Sequence, residues 1–223
     1  MPATDMQGSG TVARKHGGAA QAPRLFAALP LPGALRRELF AASGAVARLL
    51  PASVFRRVPP ENLHLTLRFF GPEGGPVDRG RIAALLRERL EACCPGPLTL
   101  KAAEISAFGS LRRARIVWVG LAEEEVPEPD PGRLLPLQRE VEAVARDLGL
   151  APETRPFVPH VTLGRLRVPS RLAAGDLNAA RPRAPDAAWS CAFTVREFGL
   201  FASFLGPGGA VYERLDRFPL AKR

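Results

Sequence analysis

The sequence predicts an α+β protein made of two similar halves, each a mostly antiparallel sheet with helices. Three observations predict it. Apolar residues alternate with a period of two in some segments and recur at helical spacing in others, and this order of helices and strands is broadly repeated along the chain. Several neighbouring strand segments are joined by tight Gly/Pro turns, the connection that antiparallel partners use. The phrase His-x-Thr-Leu occurs at His64 and again at His160, 96 positions later, and takes two of the chain's three histidines.

The elements follow in order. "RLFAALPLP" (24–32) is a short apolar run closed by prolines and reads as a buried strand. Leu35, Leu39, Ala42, Val46 and Leu49 then recur at helical spacing. The double proline in "VFRRVPPENLHLTLRFFG" forces a break, and 63–70 alternates as a strand. Residues 77–94 read as a helix with Ile82, Leu85, Leu86, Leu90 and Cys93 on one face, followed by strands "PLTLKAAEI" and "ARIVWVGL". In the second half, Leu134, Leu137, Val141, Val144 and Leu148 form a helical stripe stopped by Gly149. "PFVPHVTLGRL" is a proline-preceded strand like its counterpart, 169–188 reads as linking sequence, and 190–203 with 210–220 close the chain as a hairpin turning at 206–209.

A hydrophobic content of 46% is ample for a packed interior. No apolar run approaches the roughly 20 residues of a membrane helix, so no membrane partner is expected. Residues 1–22, which include His16, have no secretory pattern and read as a disordered tail; residues 23–223 read as a single bilobal domain. Cys93, Cys94 and Cys191 match neither a zinc spacing nor a disulfide framework, which favours a reducing, cytoplasmic setting. The net charge is +9, but the stretch "LAEEEVPEPDP" carries five acids and no base, leaving +14 on the rest. That stretch reads as a solvated loop, and the basic remainder suits a polyanion such as RNA. Nothing requires more than a monomer.

On a strand, alternate residues share a face. His64 and Thr66 therefore point one way and Leu65 and Leu67 the other, as do His160 and Thr162 against Val161 and Leu163. If the halves pack about a pseudo-twofold axis, both His–Thr pairs face one cleft. Two histidines are too few for a zinc site without further ligands, so no metal or other cofactor is expected. They do suit general acid–base catalysis, one imidazole taking a proton while the other gives one. In-line displacement at phosphorus requires such a pair, with hydroxyl and arginine donors on the non-bridging oxygens. By the same alternation Arg68 shares the His64 face, whereas Arg165 lies on the Val161 side and has to reach round the strand end. Phe157 serves equally as a stacking platform or as packing.

The paired motifs, with "RLFAALPLP", "VPPENLHLTLRFFG", "FGSLRRARIVWVG", "RPFVPHVTLGRL" and "FGLFASFLGPGGAVYERL", resemble the 2H phosphoesterase superfamily, in particular its LigT-like RNA 2′,3′-cyclic phosphodiesterases, across about residues 24–216. The resemblance implies a bilobal fold of two pseudo-symmetric lobes around a central cleft. It also implies metal-independent hydrolysis of a terminal RNA 2′,3′-cyclic phosphate to a 2′-phosphate. It places the proton donor on His64, the acceptor on His160, and phosphate contacts on Thr66, Thr162 and Arg165. Alternative substrates within the superfamily are small cyclic nucleotides or 2′-5′ phosphodiesters, with 2′-5′ RNA ligation as the reverse chemistry. A non-catalytic RNA-binding module is the alternative from another class.

Overall fold

The computed structural model describes residues 22–93, 96–124, 132–184, 186–207 and 209–220. The tail through residue 21, Cys94 and the acidic residues 125–131 lie outside them. In chain order the elements are β1 (Arg24–Pro30), α1 (Gly33–Ala47), β2 (Phe55–Arg57), a 3-10 turn (Pro60–Asn62), β3 (His64–Pro72), α2 (Arg79–Cys93), β4 (Leu98–Phe108), β5 (Ala114–Glu123), α3 (Leu134–Asp147), β6 (His160–Ser170), α4 (Ala174–Ala179), β7 (Phe193–Val195), β8 (Glu197–Gly206) and β9 (Gly209–Pro219). Among the described residues no helix is long and apolar enough to cross a membrane.

The architecture is α+β, and every strand pairing is antiparallel. The strands form one sheet in the order β7-β4-β5-β6-β3-β1-β8-β9, with β2 added beside β6. The two halves are thus β3-β1-β8-β9 and β6-β5-β4-β7. They meet where β3 pairs with β6 at Leu65 and Val161, both fully buried.

The sheet has to curl. Arg196 alone separates β7, at one edge, from β8, next to the other edge. On a flat sheet those strands would stand about 29 Å apart, at roughly 4.8 Å for each of six steps, whereas one residue spans about 3.5 Å. Curling brings the edges together and leaves a concave face carrying the His–Thr pairs.

The helices cover the opposite face, where the main core runs through Leu25, Ala27, Leu39, Leu65, Val117, Val119, Val141, Val161 and Leu163. α2 and α3 pack on each other, and α3 packs on β3; α1 crosses to the other half and packs on β2 and β6. The strong apolar stripe of α3 buries Leu134, Leu137, Val141 and Val144. Its first free N–H groups, those of Arg133 and Leu134, donate to the Glu123 carboxylate at 2.7 and 3.0 Å, so Glu123 caps the helix. Gly149, at φ 74°, ends it, as its position after the stripe predicts.

Three short elements escape periodicity. β2 has three residues, the 3-10 turn has three, and α4 occupies part of the expected 169–188 linker. The expected terminal strand 190–203 is two strands in different halves, β7 on β4 and β8 between β1 and β9.

Candidate active site

The pairing of Leu65 with Val161 sets the geometry. In an antiparallel register it puts His64 opposite Thr162 and Thr66 opposite His160, with the two histidines on a diagonal. Diagonal neighbours on one face stand about 7–8 Å apart, close enough for two imidazoles to address one phosphate from opposite sides.

Both histidines have a defined tautomer. His64 Nδ1–H donates to the Asn62 carbonyl at 2.7 Å, and His160 Nδ1–H donates to the Val158 carbonyl at 2.7 Å. A carbonyl only accepts, so Nδ1 holds the proton and the lone pair of each neutral ring sits on Nε2. In His64 that nitrogen accepts from Thr66 Oγ1–H at 2.9 Å. Aromatic rings enclose both imidazoles. Phe26 lies 5.0 Å from the His64 ring and Tyr212 stands edge-on at 5.3 Å; Phe108 stands edge-on to His160 at 4.8 Å, with Trp118 at 6.0 Å.

These surroundings disfavour the charged imidazolium. Burial drives the His64 pKa down to about 4, with the Asn62 hydrogen bond opposing it and His160 adding to it. Burial also lowers His160, against the Val158 hydrogen bond, and the nearby Arg165 charge lowers it further. Both rings are therefore neutral at pH 7 in the free protein.

A β-bulge in each motif strand overturns simple alternation. In β3, Thr66 pairs with Ala28 and Arg68 with Ala27, so Leu67 is an extra residue. In β6, Thr162 pairs with Trp118 and Gly164 with Val117, so Leu163 is the extra residue at the same offset from its histidine. An inserted residue reverses the face of every side chain beyond it.

Arg165 accordingly joins Thr162 on the concave face; it does not have to reach round from the Val161 side. Its charge acts on His160 and on Tyr212. Arg68 turns away from His64. It is ion-paired with Glu142 of α3 at 3.1 Å and donates to the Ala151 carbonyl at 2.6 Å. Phe69 takes the concave position instead, 5.4 Å from Phe26. Phe157 packs against the helix-side core.

The structure thus brings His64, His160, Thr66, Thr162 and Arg165 onto one surface. Sequence reasoning passed over four other residues there. Asn62 is buried and donates its side-chain amide to the Ala210 carbonyl at 2.7 Å, tying β9 to the turn before His64. Tyr212, the only tyrosine of the chain, borders His64. Its hydroxyl pKa is raised by burial, with Arg165 opposing that shift. Phe69 and Arg56 complete the set. Asn62 lies inside the quoted "PPENLH", and Tyr212 is singular by count; the other two had no signal without the bulges. Among the described residues no group of three or more His, Cys, Asp or Glu is placed to hold a metal ion.

Comparison with known proteins identifies relatives. A family model described as LigT like Phosphoesterase matches residues 29–118 and 125–212. An RNA 2′,3′-cyclic phosphodiesterase of Escherichia coli K12 is 32% identical over 200 residues, covering 89% of this chain and 97% of its own. Another, from Thermus thermophilus, is 32% identical over 206 residues, covering 88% and 90%. A crystal structure of a Thermus thermophilus protein superposes with a TM-score of 0.67 at 27% identity, covering 90% of this chain and 99% of that one. E. coli LigT complexed with 3′-AMP gives 0.62 at 28% identity, covering 91% and 100%.

Proposed function

The chain belongs to the LigT-like phosphoesterase family and is a phosphodiesterase, and from that premise we propose that it hydrolyses the terminal 2′,3′-cyclic phosphate of RNA to a 2′-phosphate by metal-independent acid–base catalysis. The relatives' printed activity supports the substrate. The observation that carries the mechanism is the pair of His–Thr units on one face around Leu65 and Val161, each with its Nε2 held ready by a carbonyl on Nδ1.

In this reading the cyclic phosphate lies between the two imidazoles. His160 Nε2 takes a proton from water as the water oxygen bonds to phosphorus. The bond from phosphorus to O3′ breaks on the opposite side, and His64 Nε2–H gives its proton to that oxygen. Thr66 and Thr162 hydroxyls and the Arg165 guanidinium donate to the non-bridging oxygens, where charge gathers.

The acid role requires His64 to be charged, yet its pKa in the free protein is about 4. Lifting it to 7 takes about 4 kcal/mol. A phosphate charge about 4 Å away supplies about 4 kcal/mol at an effective dielectric of 20. Substrate anion thus recruits the proton that cleavage consumes, and without it both imidazoles stay neutral.

The test is hydrolysis of an oligoribonucleotide 2′,3′-cyclic phosphate in EDTA by wild type, His64→Ala and His160→Ala. General acid–base catalysis contributes about 10²–10⁴-fold, so each variant is expected to lose that much. A loss under about tenfold removes the residue from the proposed role, and a requirement for metal removes the mechanism. The same assay on a cyclic mononucleotide and on a 2′-5′-linked dinucleotide separates the alternative substrates.

A further inference from the structure

We propose that Arg56 is a binding site for a second phosphate, the one preceding the reacting group along an RNA strand, so that the enzyme recognises a strand end as distinct from a lone cyclic nucleotide. The proposal rests on the phosphodiesterase reading above and specifies the substrate of that site.

In the register of β2 on β6, Arg56 stands directly opposite Arg165, and directly opposed residues share a face. Because the β6 bulge turns Arg165 onto the concave side, Arg56 lies there too. Two like charges facing each other across a strand pair oppose folding. Among the described residues neither guanidinium has a hydrogen bond or an ion pair.

The neighbouring arginine shows what a structural arginine does in this strand. Arg57, on the helix face, donates to Ser43 Oγ at 2.8 Å and to the Phe40 carbonyl at 2.6 Å, and sits 3.6 Å over the Phe40 ring. Arg56 has none of these ties. Its guanidinium instead lies against Gly209 at the start of β9, where an added Cβ would come within 2.6 Å of its terminal nitrogen.

Spacing also fits a second phosphate. Arg165 is three residues past Thr162, and the bulge shortens the axial step to about two residues, roughly 7 Å at about 3.4 Å each. The arginine pair is therefore displaced along β6 from the His–Thr units, by about the separation of neighbouring phosphates on one strand. Arg165 reaches back to the reacting phosphate from β6, and Arg56, level with it on β2, faces the phosphate next along the strand. An anion in that place removes the repulsion that the pair carries in the free protein.

The experiment compares two substrates, a nucleoside 2′,3′-cyclic phosphate without a 5′-phosphate and a short oligoribonucleotide ending in the same group. The expected result for Arg56→Ala is a fall of about tenfold in selectivity for the oligonucleotide, read as KM with kcat little changed, and partial rescue by Arg56→Lys. Ten-fold corresponds to about 1.4 kcal/mol. The dependence of log KM on log salt should flatten by about 0.7, the increment for one phosphate of a single strand. Arg37→Ala, which removes the same charge from the exposed side of α1, should leave the selectivity unchanged. Equal losses on both substrates, or no change in selectivity, overturn the proposal. Binding of an oligoribonucleotide ending in a 2′-phosphate, against the nucleoside 2′-phosphate, provides a reading independent of turnover. If wild type hydrolyses neither substrate, the phosphodiesterase reading fails while the Arg56 site is still judged by whether Arg56→Ala weakens the oligonucleotide alone.

Discussion

Acid should destabilise this protein through His64, by an amount that follows from its environment. In the unfolded chain the imidazole titrates near 6.5; in the folded protein burial holds it at about 4. As pH falls through 6.5 the unfolded state takes up a proton that the folded state refuses, so stability is present above 6.5 and is lost towards 4. Integrated from pH 7 to pH 5, the loss is about 2 kcal/mol. For a domain of this size that is roughly 4–8 °C in Tm. His160 is shifted in the same direction and adds to the trend. The measurement is thermal unfolding at pH 7 and pH 5 for wild type and His64→Gln, which stays neutral throughout. The variant should lose about 4–8 °C less than wild type between the two pH values. Inorganic phosphate should narrow the difference, because an anion in the cleft favours the charged ring. Equal losses in the two proteins, or a His64 ring resonance titrating near 6.5, would refute the reasoning.

Two further predictions concern the bulges. A Cβ on Gly164 would stand 2.4 Å from the Phe55 ring and 2.7 Å from the Arg56 carbonyl oxygen. Gly164→Ala therefore has to push β2 off β6, at about 1–3 kcal/mol; Gly175→Ala, with open space around it, serves as the neutral comparison in the same melting experiment. Arg68 and Arg165 should separate stability from activity. Arg68→Ala removes the ion partner of the largely buried Glu142 carboxylate, leaving it only the Glu153 N–H, and should cost about 2 kcal/mol with kcat nearly intact, whereas Arg165→Ala should lower kcat by about 10²–10³ with little change in Tm, as denaturation and turnover assays on the same samples will show.

The helices, the long strands and the facing of both His–Thr pairs were legible because each rests on a periodicity sustained over several residues. Arg68 and Arg165 were read backwards for one reason. Alternation counts residues, and Leu67 and Leu163 are counted although each is an extra residue in its ladder. Gly164 hinted at an irregularity in β6; nothing comparable marks β3. Elements of three residues, such as β2, are shorter than any pattern that could announce them. The contacts of Asn62 with Ala210 and of Tyr212 with His64 join positions about 150 residues apart; they depend on curling of the sheet, which a linear reading does not contain. The division of 190–203 between two halves has the same origin, since a single residue, Arg196, crosses a gap that only a curled sheet closes.

The matching bulges also bear on direction. Two identical His–Thr units related by a twofold axis would accept a phosphodiester either way round, and neither imidazole would know which oxygen is to leave. The fifth residue after each histidine removes that degeneracy: it is Phe69 on one side and Arg165 on the other, both turned inward by the same inserted residue. At that position the concave face carries an aromatic ring on β3 and a cation on β6. The two motif strands share the bulge and the His–Thr pair but differ at this inward position, and that difference gives the cleft a head and a tail.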